Sequence, residues 1–202
     1  MLLLDWQYFG TISFVHSFLN EKDIAFDNHA SFSKMSFKNR TIITTAQGPL
    51  TLTIPIMGGR SQKSPIQDVS ISFDSPWNKQ HFKAIKSSYQ RAPFFEYYEN
   101  SLQTLYQNPP EKLVDFLQEC HSWLKKQIKG EWSLQKELNI DFELDFKKVV
   151  DTWLPNNYHK QPNPIVYKQV FEPQIDFIPN VSILDMLFCC GGKSVQQMLI
   201  NR

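Results

Sequence analysis

The opening stretch from Leu2 to Phe26 constrains the fold more than any later part of the chain. Leu2, Leu3 and Leu4 form a short apolar run suited to a buried strand. Ile12, Val15, Phe18 and Leu19 then recur at helical spacing before the polar stop Asn20-Glu21-Lys22-Asp23. Ile24-Ala25-Phe26 reads as a second strand. Strand, helix and strand in so few residues predict a parallel crossover, and ligands of such sheets sit at the carboxyl ends of the strands. That edge is expected to carry Trp6 to Gly10 after the first strand and Asp27 to His29 after the second.

Thr41 to Thr45 and Leu50 to Ile54 are β-branched and partly alternating, with a turn supplied by Ala46-Gln47-Gly48-Pro49. The clean alternation of Val69-Ser70-Ile71-Ser72-Phe73 predicts another strand. Ser75 and Pro76 mark a helix start, Ser75 as cap, and Trp77, His81, Ile85 and Tyr89 follow one four-residue row along it. Ala92-Pro93 breaks that helix and a further segment runs from Phe94 toward Tyr106. The most regular helix carries Leu113, Phe116, Leu117, Cys120, Leu124 and Ile128 on one stripe, with Gly130 as its stop. Residues 131–151 are mixed in pattern, Ile165 to Phe171 reads as a strand, and Ile183 to Phe188 as a short helix. Ser182 and Asp185 suit the start of that helix, and Ser194 can open a last one. The expected class is α/β or α+β: a mixed β-sheet with an opening β-α-β unit and a β-hairpin, packed by several helices in a single domain.

A formal charge of +1 gives no bulk attraction to nucleic acid or anionic lipid, and no apolar run is long enough for a membrane span. Cys120, Cys189 and Cys190 are odd in number and two are adjacent, which argues against a disulfide framework and for a reducing, cytoplasmic setting. The five histidines show no paired ligand spacing, so no metal is expected. Gly191-Gly192-Lys193-Ser194 lacks the upstream glycine of a phosphate loop, and no cofactor is expected. Cys120 and His121 do not face each other on a helix, which disfavours a nucleophile there.

Candidate site residues cluster before the hairpin. Arg40 is a planar donor suited to a carboxylate or phosphate, and Asn39 can donate and accept as a sugar hydroxyl or amide requires. The structural alternative pairs Arg40 with Asp27 or Asp68 and leaves Asn39 to cap a turn. Lys34 and Lys38 add local positive potential. His81 titrates in the range needed for proton transfer, with a hydrogen-bonded core histidine as the alternative. Tyr8, Trp77, Tyr89, Phe94 and Phe95 can stack on a sugar or acyl group, or fill the core.

Lys34, Phe37, Asn39 and Arg40, then Gln47-Gly48-Pro49-Leu50-Thr51-Leu52-Thr53-Ile54-Pro55, Trp77, His81, Tyr89-Gln90-Arg91-Ala92-Pro93-Phe94-Phe95 and Pro179-Asn180-Val181-Ser182-Ile183-Leu184-Asp185 together resemble the WbqC-like family of bacteria. Longer members carry Gln-Pro-Tyr-Phe where this chain has Gln7-Tyr8-Phe9, and an additional segment between the central helix and the final strand. The resemblance implies a role in bacterial surface polysaccharide (O-antigen) biosynthesis, with transfer of a glycyl or other acyl group to an amino sugar as the activity. Arg40 would hold the anionic donor, His81 would assist proton transfer, and Gln7, Tyr8, Lys34, Asn39, Trp77 and Tyr89 would bind the small-molecule sugar or acyl donor. The competing expectation is a noncatalytic binding or assembly protein that recognises an anionic ligand or a protein partner.

Overall fold

A computed structural model describes residues 2–59, 61–129, 133–134, 147–149 and 153–201 of the chain. β1 (Leu2–Leu4) and β2 (Asp23–Phe26) pair in parallel, Leu2 opposite Ile24 and Leu4 opposite Phe26. The crossover between them is α1 (Ile12–Phe18), capped by the Thr11 hydroxyl, which accepts from the Phe14 N–H at 3.2 Å. The chain turns into α1 through two left-handed residues, Phe9 (φ 60) and Gly10 (φ 80). A Cβ on Gly10 would meet the Phe14 ring at 2.7 Å, so only glycine fits there without displacement.

β3 (Arg40–Thr45) and β4 (Gly48–Thr53) form the expected hairpin, closed by Ala46 and Gln47. β5 (Ser133–Leu134) and β6 (Lys147–Val149) join the first two strands in a parallel sheet of order β5-β2-β1-β6. Parallel and antiparallel pairing therefore occupy two separate sheets. Three long helices follow the hairpin: α2 (Trp77–Tyr89), α3 (Phe95–Gln107) and α4 (Leu113–Ile128). The chain ends in α5 (Ile183–Cys190) and α6 (Gly192–Ile200). One continuous apolar cluster runs from Leu2 and Leu4 through the helical stripes to Val195 and Leu199. The main-chain N–H of Ser182 donates to Ile42 at 2.8 Å and that of Ile183 to Gly10 at 3.0 Å, which ties the entry of α5 to both the hairpin and the first loop.

Several local expectations are corrected. Residues 69–73 form only isolated bridges, Ile56 to Ile71 and Ser70 to Lys112, because each partner lies alongside for a single residue. Residues 165–171 join no ladder, and their alternating inward residues are held by side chains instead. The Ser75 side chain does not cap α2: Pro76 is the N-cap, and the Trp77 N–H reaches the Ser75 carbonyl at 2.8 Å. α4 stops at Lys129, itself left-handed (φ 51), while Gly130 and most of residues 131–151 lie outside the described residues. α6 begins at Gly192 rather than Ser194, and a Cβ on Gly192 would lie 2.0 Å from the Gln127 carbonyl oxygen of α4. Among the described residues no helix is long and apolar enough to cross a membrane.

Candidate functional site

Asp5 leaves the carboxyl end of β1, and Asp27 leaves that of β2 with its N–H on the Leu4 carbonyl at 2.8 Å. Trp6 stacks on Phe26 (centroids 4.1 Å apart, planes 16° apart) and donates its indole N–H to Asn28 Oδ1 at 2.7 Å. These contacts fix the two post-strand loops side by side. The segment before the hairpin is laid against them by the Tyr8 N–H, which donates to the Phe37 carbonyl at 2.9 Å.

That alignment carries Lys38 to the sheet edge. Its ammonium lies 2.9 Å from Asp5 Oδ2, with the lysine side chain 4 % and the aspartate 40 % exposed. A buried ammonium requires a counter-charge, so Lys38 pins the Asp5 carboxylate at the strand end. The other oxygen, Oδ1, is shielded and accepts no hydrogen bond among the described residues. A carboxylate can only accept, so the exposed part of Asp5 suits a hydroxyl or ammonium donor. Asp27 lies in the same edge and accepts from the His29 N–H at 3.0 Å.

Behind this edge runs a buried hydrogen-bond chain. The His81 ring lies near the Thr53 carbonyl, and its Nδ1 lies 3.2 Å from the Tyr8 hydroxyl, which in turn contacts the Tyr106 hydroxyl. The Tyr8 hydroxyl bridges the two, able to donate to one neighbour and accept from the other, with the direction set by the His81 tautomer. Burial lowers the His81 pKa to about 4, opposed by the Thr53 carbonyl, so the ring is neutral at neutral pH. Burial also raises both tyrosines well above their ordinary value.

The anticipated site residues divide accordingly. His81, Tyr8 and Trp77 come together, with Trp77 edge-on to His81 at 5.2 Å, but all three are buried in the core. Tyr89 is buried elsewhere on α2 and donates to Asp185 Oδ2 at 2.7 Å. Asn39 is buried and clips the hairpin through Nδ2 to the Ile54 carbonyl at 2.8 Å. Gln7 is buried, its Oε1 accepting from the Thr11 N–H at 3.2 Å and its carbonyl bonded by His121 Nε2 at 2.8 Å. Lys34 is exposed. Arg40 is half-buried: Nη1 approaches the Met35 sulfur at 3.9 Å, and Nε is shielded without a hydrogen bond. Neither Asp27 nor Asp68 pairs with Arg40, since no ion pair involves it among the described residues.

Sequence reasoning singled out the edge but not Asp5 as its occupant, and it gave Lys38 only a general electrostatic part. The available signal was an acidic residue directly after the first apolar run. Among the described residues no three His, Cys, Asp or Glu side chains are grouped to hold a metal.

The sequence pattern that defines the WbqC-like protein family matches residues 6–154, most of the chain. The chain belongs to the WbqC-like protein family. No curated protein and no solved structure matches it. In this WbqC-like chain the match takes in Lys38, Arg40, His81 and Tyr106, starts one residue after Asp5, and ends well before Asp185.

Proposed function

We propose that this protein serves bacterial surface-polysaccharide assembly by seating an amino sugar at the carboxyl edge of its parallel sheet, where a glycyl or other acyl group is transferred to the sugar nitrogen. The observation that carries this reading is the Lys38–Asp5 pair, held at 2.9 Å at the end of β1, with the aspartate side chain still 40 % exposed. An amine or hydroxyl is a donor that the exposed part of this carboxylate can accept from. In the transfer, the amine nitrogen bonds to the acyl carbon of an activated donor, the bond to the donor's leaving group breaks, and an amine proton passes to Asp5. Arg40, with no carboxylate partner among the described residues, is the group suited to the donor's negative charge.

A second reading, binding without turnover, draws support from His81. The imidazole suited to proton transfer is buried, with Nδ1 engaged by the Tyr8 hydroxyl. One experiment separates the two. Purified protein is incubated with activated glycine or acyl donors and nucleotide-linked amino sugars, with acylated sugar and sugar binding both measured. The transferase reading expects product, abolished by Asp5→Asn and retained in part by His81→Gln. Saturable sugar binding without product favours the binding reading. No binding to any amino sugar, or binding indifferent to Asp5→Asn and Lys38→Met, overturns both.

A further inference from the structure

A second hollow, of about 270 Å³, lies away from the sheet edge, between the turn that follows α2 and the segment 168–174. Its lining includes the exposed cations Arg91 and Lys168, the apolar Pro93, Phe171 and Pro173, and the partly buried Cys189. Among the described residues no carboxylate lines it. Glu172, the acidic side chain nearest in sequence to Lys168, accepts instead from the Gln169 N–H at 3.2 Å. Neither Arg91 nor Lys168 forms an ion pair among the described residues.

The spacing of the two cations is fixed from below by one buried carboxylate. Asp185 is fully buried at the start of α5 and accepts from four side chains. Its Oδ2 takes the Tyr89 hydroxyl at 2.7 Å and the Thr44 hydroxyl, while Oδ1 takes the Tyr167 hydroxyl at 2.6 Å and Gln169 Nε2 at 3.2 Å. Tyr89 lies two residues before Arg91, and Gln169 directly follows Lys168. Gln169 is further bound to both main-chain groups of Ile178, its Nε2 donating to the carbonyl and its Oε1 accepting from the N–H, each at 2.9 Å. The turn carrying Arg91 is also tied to α5, by the Phe94 N–H on the Phe188 carbonyl at 3.0 Å. Cys189 stays neutral, because burial pushes its thiol up. Two like charges thus line one small hollow on segments anchored to the same buried carboxylate, an arrangement that favours anion binding.

We propose that this hollow is a binding site for a small organic anion, a carboxylate or phosphate monoester on an apolar body, with Arg91 and Lys168 gripping the charge and Pro93, Phe171 and Pro173 covering the body. A cavity of this size is slightly below the range typical of drug-sized ligands, roughly 300–1,000 Å³, so the occupant is small. The site is independent of the sugar seat at the sheet edge.

The test is a nuclear magnetic resonance titration of the full chain with benzoate, phenyl phosphate, inorganic phosphate and benzyl alcohol. Benzoate or phenyl phosphate is expected to shift the Val170 amide and the Gln169 side-chain amide saturably, and more tightly than inorganic phosphate or benzyl alcohol. Arg91→Gln and Lys168→Gln each weaken binding by about tenfold, the loss of one charge-assisted hydrogen bond. Both residues are exposed, so thermal midpoints stay close to the parent, and Lys79→Gln on another face leaves affinity unchanged. Absence of saturable shifts with either organic anion, equal binding of benzyl alcohol or of inorganic phosphate, or indifference to both substitutions overturns the proposal.

Discussion

Tyr8 is the residue on which the buried chain turns, since its hydroxyl bridges His81 Nδ1 and the Tyr106 hydroxyl. Tyr8→Phe keeps the ring and its packing but leaves two buried polar groups without partners. Denaturant unfolding is expected to show a loss of about 1–3 kcal/mol. Tyr106→Phe removes only the outer hydroxyl and leaves the Tyr8–His81 bond intact, so a smaller loss is expected from the same measurement. The four-residue row through Trp77 and His81 was legible in the sequence, because helical periodicity is local. The partners were not: Tyr8 and His81 are 73 residues apart and Tyr8 and Tyr106 are 98 apart, and spacing along a chain carries no information about contacts at that range. Asn39 illustrates the same limit. A side chain that both donates and accepts suits a sugar, yet the Asn39 amide N–H is already given to the Ile54 carbonyl, and the Ile54 N–H returns to the Asn39 main-chain carbonyl.

At the scale of elements, the β-α-β opening and the hairpin were readable because each is written in consecutive residues, apolar runs separated by one helical stripe or one tight turn. Residues 165–169 show where such reading misleads. Ile165, Tyr167 and Gln169 point inward and Val166 is 67 % exposed, so the two-residue alternation is real. It arises from side chains tethered to Asp185 and not from pairing with a neighbouring strand. Asp185→Asn tests this: the amide presents donors where four donors already converge, so stability falls by about 2–3 kcal/mol. Hydrogen exchange at the Ile178 amide is expected to quicken in the same variant, because Gln169 loses its anchor. Gly192→Ala addresses the α4–α6 contact, where the added carbon meets backbone at 2.0 Å; overpacking there costs about 1–3 kcal/mol, read from the unfolding midpoint.

At the scale of the whole molecule, two buried histidines set a pH response. Burial lowers His81 and His121 from 6.5 to about 4 each, opposed by the Thr53 and Gln7 carbonyls. Between those values the unfolded chain binds protons that the folded chain refuses. Their contribution is therefore complete above the unfolded value and is lost as pH falls from 6.5 toward 4, at about 1.4 kcal/mol per pH unit for each histidine. Asp185 acts in the other direction. Burial raises its pKa, so its contribution is present below the ordinary value and fades as pH climbs through the raised one. Glu119, raised by partial burial and the nearby Asp115 charge, acts in the same direction as Asp185, so the histidine contribution is read as a difference: between about pH 7 and about pH 4.5, urea midpoints are expected to fall less steeply in His81→Gln than in the parent.

The strand order β5-β2-β1-β6 also dictates a timetable for synthesis. β1 emerges first, but its flank waits for residues 147–149. At roughly 5–20 residues per second that delay is roughly 7–30 s on the ribosome. Throughout it, a leucine-rich strand edge is open to any neighbouring nascent chain on the same message. Slower initiation, which spaces ribosomes apart, is therefore expected to raise the yield of correctly assembled protein more than slower elongation does.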